Sequence, residues 1–207
     1  MDANKPVVAA FDFDGTITYR DSLLPFLMAT FGRLKTLCGL ALLAPLLLID
    51  WLRGKSRQVM KERVLHYFVR GKSYEEMHRE GSNFAKCIVI NHIKPEALQR
   101  IRWHKSQGHR CILISASINL YIEPWGKETG FDDVLCSQVA VDRHGCLTGN
   151  LVGANCRAYE KVRRLEELIG DTSQFELFAY GDSKGDKELL EIADHAFYRE
   201  MPTVKSS

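Results

Sequence analysis

At 207 residues the chain has room for one α/β domain carrying a modest insertion, and for little more. Apolar residues at 45% and charged residues at 26% exclude a disordered or low-complexity chain. A formal charge of +2 is too small to nominate nucleic acid, and none is expected as a partner.

The first predicted element is a strand over Val7–Phe13, small, β-branched and aromatic, and apolar on both faces as far as Asp12. Such a run suits the centre of a parallel sheet covered on both sides. Its apolar part is about six residues long and ends in acids, so it does not read as a secretory leader. From Ser22 to Ile101 the pattern is helical, with no convincing strand. A right-handed crossover between parallel strands needs only about a dozen residues. Most of this stretch is therefore read as an inserted helical subdomain, residues 21–101, between core segments 1–20 and 102–207.

Within the insertion, Thr36–Ile49 is an uncharged run interrupted at Pro45, flanked by Arg33 and Lys35 before it and Arg53, Lys55 and Arg57 after it. It falls short of the ~20 residues that span a bilayer. An apolar wedge with a basic border and Trp51 at its edge suits the interface of an anionic membrane, through residues 33–57. A buried helical hairpin with solvated charges is the other reading. Further on, Val59, Met60, Val64, Tyr67 and Phe68 share one helical face, with Arg57, Lys61 and Arg63 towards the other.

A helix over Pro95–Ser106 leads to a second strand, Arg110–Ser115. A helix follows at Leu120–Thr129 and a strand at Asp133–Val139. A hairpin over Val139–Leu151 turns at Asp142–Gly145. The helix Tyr159–Ile169, the strand Phe175–Gly181, the helix Lys187–Ala193 and a short strand His195–Arg199 complete the chain. This alternation predicts an α/β fold, a doubly wound and mostly parallel sheet with an inserted helical cap. The six cysteines form no C-x-x-C pair and match no histidine spacing, so reduced thiols are expected rather than zinc or disulfides.

Four short pieces fall at the ends of predicted strands, where open α/β sheets bind ligands. Asp12-Phe13-Asp14-Gly15-Thr16 ends the first strand, and Gly15 lets the chain turn so that both carboxylates converge. Read alone, it is also an acidic turn. Ser115 ends the second strand, with a hydroxyl and free amides suited to an oxyanion, or simply as a helix N-cap. Lys161 lies near the start of a helix and by itself reads as a solvated residue. Gly181-Asp182-Ser183-Lys184-Gly185-Asp186 offers two acids four apart, a hard-cation site of the kind magnesium prefers, or an Asp-rich turn.

In this order and placement the four pieces resemble the haloacid dehalogenase superfamily, with its pattern DxDGT, strand-ending Ser/Thr, Lys, then GDxxxD. The insertion directly after the first motif is similar to the helical cap of subfamily IB, which includes phosphoserine phosphatases. The resemblance implies a Mg²⁺-dependent phosphatase acting on a phosphate monoester. Asp12 would be the nucleophile and form an aspartyl-phosphate, and Asp14 the general acid and base. Ser115 and Lys161 would hold the phosphoryl group. Asp12, the Asp14 carbonyl and Asp182 would bind the metal, with Asp186 direct or in an outer shell.

Asp21 lies where phosphoserine phosphatases carry a glutamate that contacts the substrate amine; it also reads as a helix N-cap or hinge. The leucine-rich stretch resembles phosphatidylglycerophosphatase-C-type enzymes in pattern and position. A lipid phosphate, a soluble metabolite such as phosphoserine, and a catalytically silent binding module all stay open. The expected location is cytoplasmic, with peripheral contact at the inner face of the membrane as the variant that the 33–57 stretch raises.

Overall fold

The computed structural model describes residues 5–202, and at 88–91 the backbone only. In chain order the elements begin with β1 (Val7–Phe11) and four helices, α1 (Leu23–Phe31), α2 (Arg33–Leu52), α3 (Arg57–Phe68) and α4 (Tyr74–Asn91). Then come α5 (Pro95–Ser106), β2 (Arg110–Ile118), α6 (Asn119–Thr129) and β3 (Asp133–Ser137). The hairpin strands β4 (Val139–Val141) and β5 (Leu147–Leu151) follow. The chain continues with α7 (Tyr159–Ile169), β6 (Glu176–Gly181), α8 (Lys187–Glu191) and β7 (His195–Tyr198).

The main sheet is parallel throughout, in the order β3-β2-β1-β6-β7. Period-two alternation in β1 sends Val8 and Ala10 to one face, among Ile112, Ile114 and Ala179, where Val162 and Leu165 of α7 and Leu189 of α8 cover them. Ala9 and Phe11 point to the other face, covered by Ala97 and Ile101 of α5 and Tyr121 and Trp125 of α6. Each such large side chain contributes about 1.5–3 kcal/mol when fully buried. That two-sided burial explains why the strand reads as an unbroken apolar run.

The register decides where the chemistry emerges. Phe11 pairs with Leu113 on one side and Tyr180 on the other. The residues just beyond these pairs therefore leave the sheet along one edge. β1 is also where the chain order reverses, with β2 on one flank and β6 on the other. The C-terminal end of such a strand is the crevice of an open α/β sheet.

Several boundaries differ from the sequence expectation. β1 ends at Phe11 rather than Phe13, because Phe13 O already accepts from Ile17 N (2.9 Å) and Thr18 N (3.0 Å) in the turn that follows. β2 runs on to Ile118, past Ser115, with an irregular register against β3. The anticipated interruption at Pro45 is absent: α2 is one 20-residue helix with Pro45 inside it. A helical hairpin over Thr36–Ile49 is thereby ruled out. Pro45 is exposed, and a proline removes only its own N–H bond and bends the helix. The expected core boundary at 101/102 falls within α5, whose Arg100 and His104 both bond Tyr180 of β6.

Thr36, Gly39, Leu43 and Asp50 are the buried side of α2. Thr36 donates to Leu27 O (3.0 Å), and Asp50 pairs with Arg63 Nε of α3 at 2.5 Å. The other side is open: Leu34 is 78% exposed, Leu42 67% and Trp51 64%. By length and composition α2 is long and apolar enough to cross a membrane, with a mean hydropathy of 1.7 over its most apolar window.

α4 lies directly on α6. A Cβ at Gly81 would stand 2.0 Å from Leu120 O, a backbone atom that cannot swing aside. Gly81→Ala should therefore destabilise the protein by roughly 1–3 kcal/mol through overpacking. At an uncrowded helical site the same change would stabilise by up to about 1 kcal/mol. Urea denaturation distinguishes the two by sign, and a stabilised variant would refute this packing of α4 on α6.

Candidate active site

A cavity of about 340 Å³ opens at the C-terminal edge of β1, β2 and β6. Asp12, Asp14, Ser115, Lys161, Asp182 and Asp186 all border it, as does Asp21. Every residue singled out from the sequence is therefore gathered at one place.

Lys161 lies at the centre. Its Nζ donates to Asp12 Oδ1 at 2.6 Å and to Asp186 Oδ1 at 2.5 Å, and all three side chains are nearly inaccessible to solvent. The reading of Lys161 taken alone, as a solvated residue, does not hold: the first turn of α7 places it between Asp12 after β1 and Asp186 after β6. Burial by itself would lower the Lys161 pKa, but Asp12 and Asp186 hold it well above the ordinary lysine value.

The two acids differ. Asp186 also accepts from Ser183 N (3.1 Å) and Ser183 Oγ (2.9 Å). Burial opposes ionisation there, yet Lys161 and Ser183 together keep its pKa below the usual carboxylate range. Among the described residues, the Asp12 carboxylate has only Thr16 Oγ1, at 3.2 Å, besides the lysine. Burial pushes it up to about 6; Lys161 pulls the other way, and repulsion from Asp186 and Asp182 adds to the rise.

Asp12, Asp182 and Asp186 can each offer a carboxylate oxygen, all within 4.8 Å of one another. Gly15 makes room for the third acid: with φ +80° and no side chain, it lets Asp182 approach so closely that a Cβ would be 2.2 Å from Asp182 Oδ2. Three carboxylates against one ammonium leave a formal charge of −2 in a mostly buried place. That surplus, from all-oxygen donors, fits a hard divalent cation of the magnesium type.

Asp14 is held apart from this cluster. Its Oδ1 accepts from Ser22 N (2.8 Å) and its Oδ2 from Ser117 Oγ. Ser22 Oγ donates in turn to Tyr121 OH at 3.0 Å. Burial raises the Asp14 carboxyl to about 7, with repulsion from Asp21 next, against the two serine hydrogen bonds. The group is thus poised to carry a proton near neutrality. Ser115 Oγ accepts from Ser117 N (3.0 Å) and lies beside the cavity. Asp21 is exposed and borders the cavity; it is not the N-cap of α1, which is Ser22, but lies one residue before it and accepts from Leu23 N (2.9 Å).

Sequence reasoning missed Ser22, Ser117 and Lys61. Ser117 was legible in principle, since residues two apart on a strand share a face with Ser115. Lys61, on the side of its helix opposite the apolar face, donates from its Nζ to Ala116 O (2.6 Å) and Asn155 Oδ1 (2.7 Å). Burial lowers its pKa to about 8, against the attraction of Asp14 and Asp21. Gln58 and Glu62 join it in tying α3 to the 151–155 segment. No local pattern marks that face, because its partners lie some ninety residues on.

Protein CicA of Caulobacter vibrioides is 32% identical over 196 residues, covering 95% of this chain and 87% of that protein. Among solved structures, a protein of unknown function from Bordetella pertussis Tohama I superposes with a TM-score of 0.77 at 22% identity, over 91% of this chain and 87% of that one. A phospho-aspartyl intermediate analogue of phosphoserine phosphatase superposes with a TM-score of 0.59 at 14% identity, over 92% and 84%. Both structures share the fold. A family model described as haloacid dehalogenase-like hydrolase matches residues 9–191. The chain belongs to the haloacid dehalogenase-like hydrolases.

Proposed function

We propose that this hydrolase is a magnesium-dependent phosphomonoesterase that works through an aspartyl-phosphate on Asp12. The observation that carries the reading is the division of labour between two carboxylates two residues apart. Asp12 lies in a charge cluster with Lys161, and Asp14 lies apart, bonded to Ser22 N and Ser117 Oγ, where burial favours its protonated form. One is suited to attack and the other to proton transfer.

In the first step an Asp12 carboxylate oxygen attacks phosphorus and the ester P–O bond breaks. The leaving oxygen takes the Asp14 proton. In the second step water attacks the phosphoaspartate, Asp14 receives its proton, and the P–O bond to Asp12 breaks to release inorganic phosphate. Lys161 offsets charge on the transferring group, and the Ser115 hydroxyl can donate to one of its oxygens. Asp12, Asp182 and Asp186 would hold magnesium, which when bound neutralises phosphate charge and keeps Asp12 ionised. Helices α1–α4 act as a cap over this chemistry. The core resumes in the loop before α5, whose bonds to Tyr180 join it to the sheet.

Asp12→Asn should lower kcat by at least about a thousandfold with the fold intact, since the amide cannot attack phosphorus. Asp14→Asn should lower it by about 10²–10⁴-fold and slow both steps. EDTA should abolish phosphate release and Mg²⁺ restore it. Stopped-flow phosphate release with the two variants checks all three, and an Asp12→Asn enzyme retaining a tenth of the activity would sink the covalent mechanism.

The open face of α2 favours a lipid phosphate monoester over a soluble metabolite such as phosphoserine. Leu34, Leu37, Leu42, Leu46, Leu48, Trp51 and Leu52 are exposed on one helix that also carries Arg33 and Lys35 at one end. Arg53 and Lys55 follow its other end. Each cation beside an anionic leaflet contributes about 1 kcal/mol. Leu42 and Leu46 lie one turn apart on the exposed side, so replacing both by Glu buries no charge. The double variant should lose sedimentation with anionic vesicles and turnover of a lipid phosphate in them, while its Tm and its turnover of an aryl phosphate stay unchanged. Wild type that fails to bind such vesicles at low salt would leave the soluble metabolite as the substrate.

A further inference from the structure

Two cations that do not border the active-site cavity hold the loops that carry its acids. Lys94, in the segment between α4 and α5, donates from Nζ to Gly15 O at 2.5 Å. Arg199, just after β7, donates from Nε to Asp182 O at 2.8 Å and from its backbone N to Gly181 O, also at 2.8 Å. Among the described residues neither forms an ion pair. Both border a separate cavity of about 130 Å³, and Gly15 borders the two cavities at once.

The loops they hold are the two that meet at Asp182. Gly15 admits the Asp182 carboxylate so closely that a Cβ there would overlap it. Lys94 holds the first partner of this contact by its carbonyl, and Arg199 holds the second by its own. Arg199 does so at a φ of +58°, a left-handed backbone that a residue other than glycine keeps only where its surroundings over-determine it. Lys94 is fixed in turn by its chain. Tyr19 N donates to His92 O (2.9 Å), Thr18 bridges Ile93, and Lys94 N donates to Ile17 O (2.9 Å). The chain entering the inserted helices is thus paired with the chain leaving them, just past Gly15. The bonds have something to resist, because carboxylates of Asp12, Asp182 and Asp186 within 4.8 Å of one another repel. Bonds from an ionised donor are roughly twice as strong as neutral ones, which suits them to that task.

We propose that Lys94 and Arg199 are positioning residues for the metal site. By holding the Gly15 and Asp182 carbonyls they fix the approach of Asp182 to Asp12 and Asp186, and with it the preference for a small, rigidly coordinated ion. Magnesium demands a near-ideal octahedron of oxygens at about 2.0–2.1 Å, whereas calcium accepts looser sets at about 2.3–2.6 Å. Loops free to spread would therefore lose magnesium before calcium. The inference rests on the magnesium reading above and adds to it what sets the choice of ion.

Calorimetry on the metal-free enzyme gives the Kd for Mg²⁺ and for Ca²⁺ in wild type, K94M, R199M, K94R and R199Q. Methionine keeps the Cβ and an unbranched stem but donates no bond, so the backbone at 199 is asked for the same φ. K94M and R199M should each weaken Mg²⁺ by about 10–100-fold, the usual range for a group that orients a ligand from behind it. Ca²⁺ should weaken less, so the preference for Mg²⁺ should fall. K94R keeps a donor, and R199Q keeps an N–H in the place of Nε without the charge; both should recover most of the affinity. Melting temperatures in EDTA show whether each variant is folded, and where methionine is not tolerated K94A or R199A takes its place with the same expectation. Unchanged Mg²⁺ affinity in both methionine variants would overturn the proposal. So would tighter binding, which removal of a nearby positive charge gives by itself, and so would equal weakening of both ions, which a general loosening of the fold gives. Wild type that binds no Mg²⁺ would instead bring down the magnesium reading, and this inference with it.

Discussion

The molecule is organised around one buried cation shared by two buried carboxylates. Lys161 reaches from α7 to Asp12 at the end of β1 and to Asp186 just before α8, at 2.6 and 2.5 Å. Charges this far from water are tolerated only when paired and hydrogen-bonded, and removing one partner typically costs about 3–5 kcal/mol. The triad therefore constrains three segments at once. It fixes the first turn of α7, the exit of β1 and the loop after β6 relative to one another. Because it is not neutral once Asp182 is counted, it also leaves a reason for a divalent cation to bind there.

Asp14 shows how little separation is needed to give two like residues opposite properties. It is two residues from Asp12, yet it faces Ser22, Ser117 and the Tyr121 hydroxyl rather than a lysine. Hydrogen bonds from neutral donors compensate burial only in part, so the proton is held more tightly. Asp12 is held by Lys161 of α7, whereas Asp14 is held between Ser117 of β2 and the backbone of Ser22 before α1. The inserted segment reaches residues that line the cavity by direct bonds, Ser22 N to Asp14 and Lys61 Nζ to Ala116 O, rather than by proximity alone.

Charge is distributed by depth. The cavity holds acids around a single lysine, and Arg20, Arg57 and Arg157 also border it, forming no ion pair among the described residues. The outermost helix then presents leucines between basic ends.

Local signals in the chain carried most of the architecture. Strands β1, β2 and β6 were legible because two-sided burial demands continuous apolar runs. α5 and α7 matched from end to end, because their periodicity is bounded by Pro95 and by Gly170. The acids at strand ends were legible because a parallel sheet exposes its C-terminal edge at one crevice. The sequence by itself thus determined the α/β order, the insertion and the candidate acids. Tertiary structure decided what no local window holds. Pro45 lies within a continuous α2, whose inner side is anchored through Asp50 and Arg63, thirteen residues apart. No local window shows that Lys161 is buried or that Lys61 is half-buried and hydrogen-bonded, because their partners lie 25 to 149 residues away. Propensity and periodicity report a residue's neighbours along the chain, whereas the ionisation and reach of a buried side chain depend on neighbours that only folding supplies.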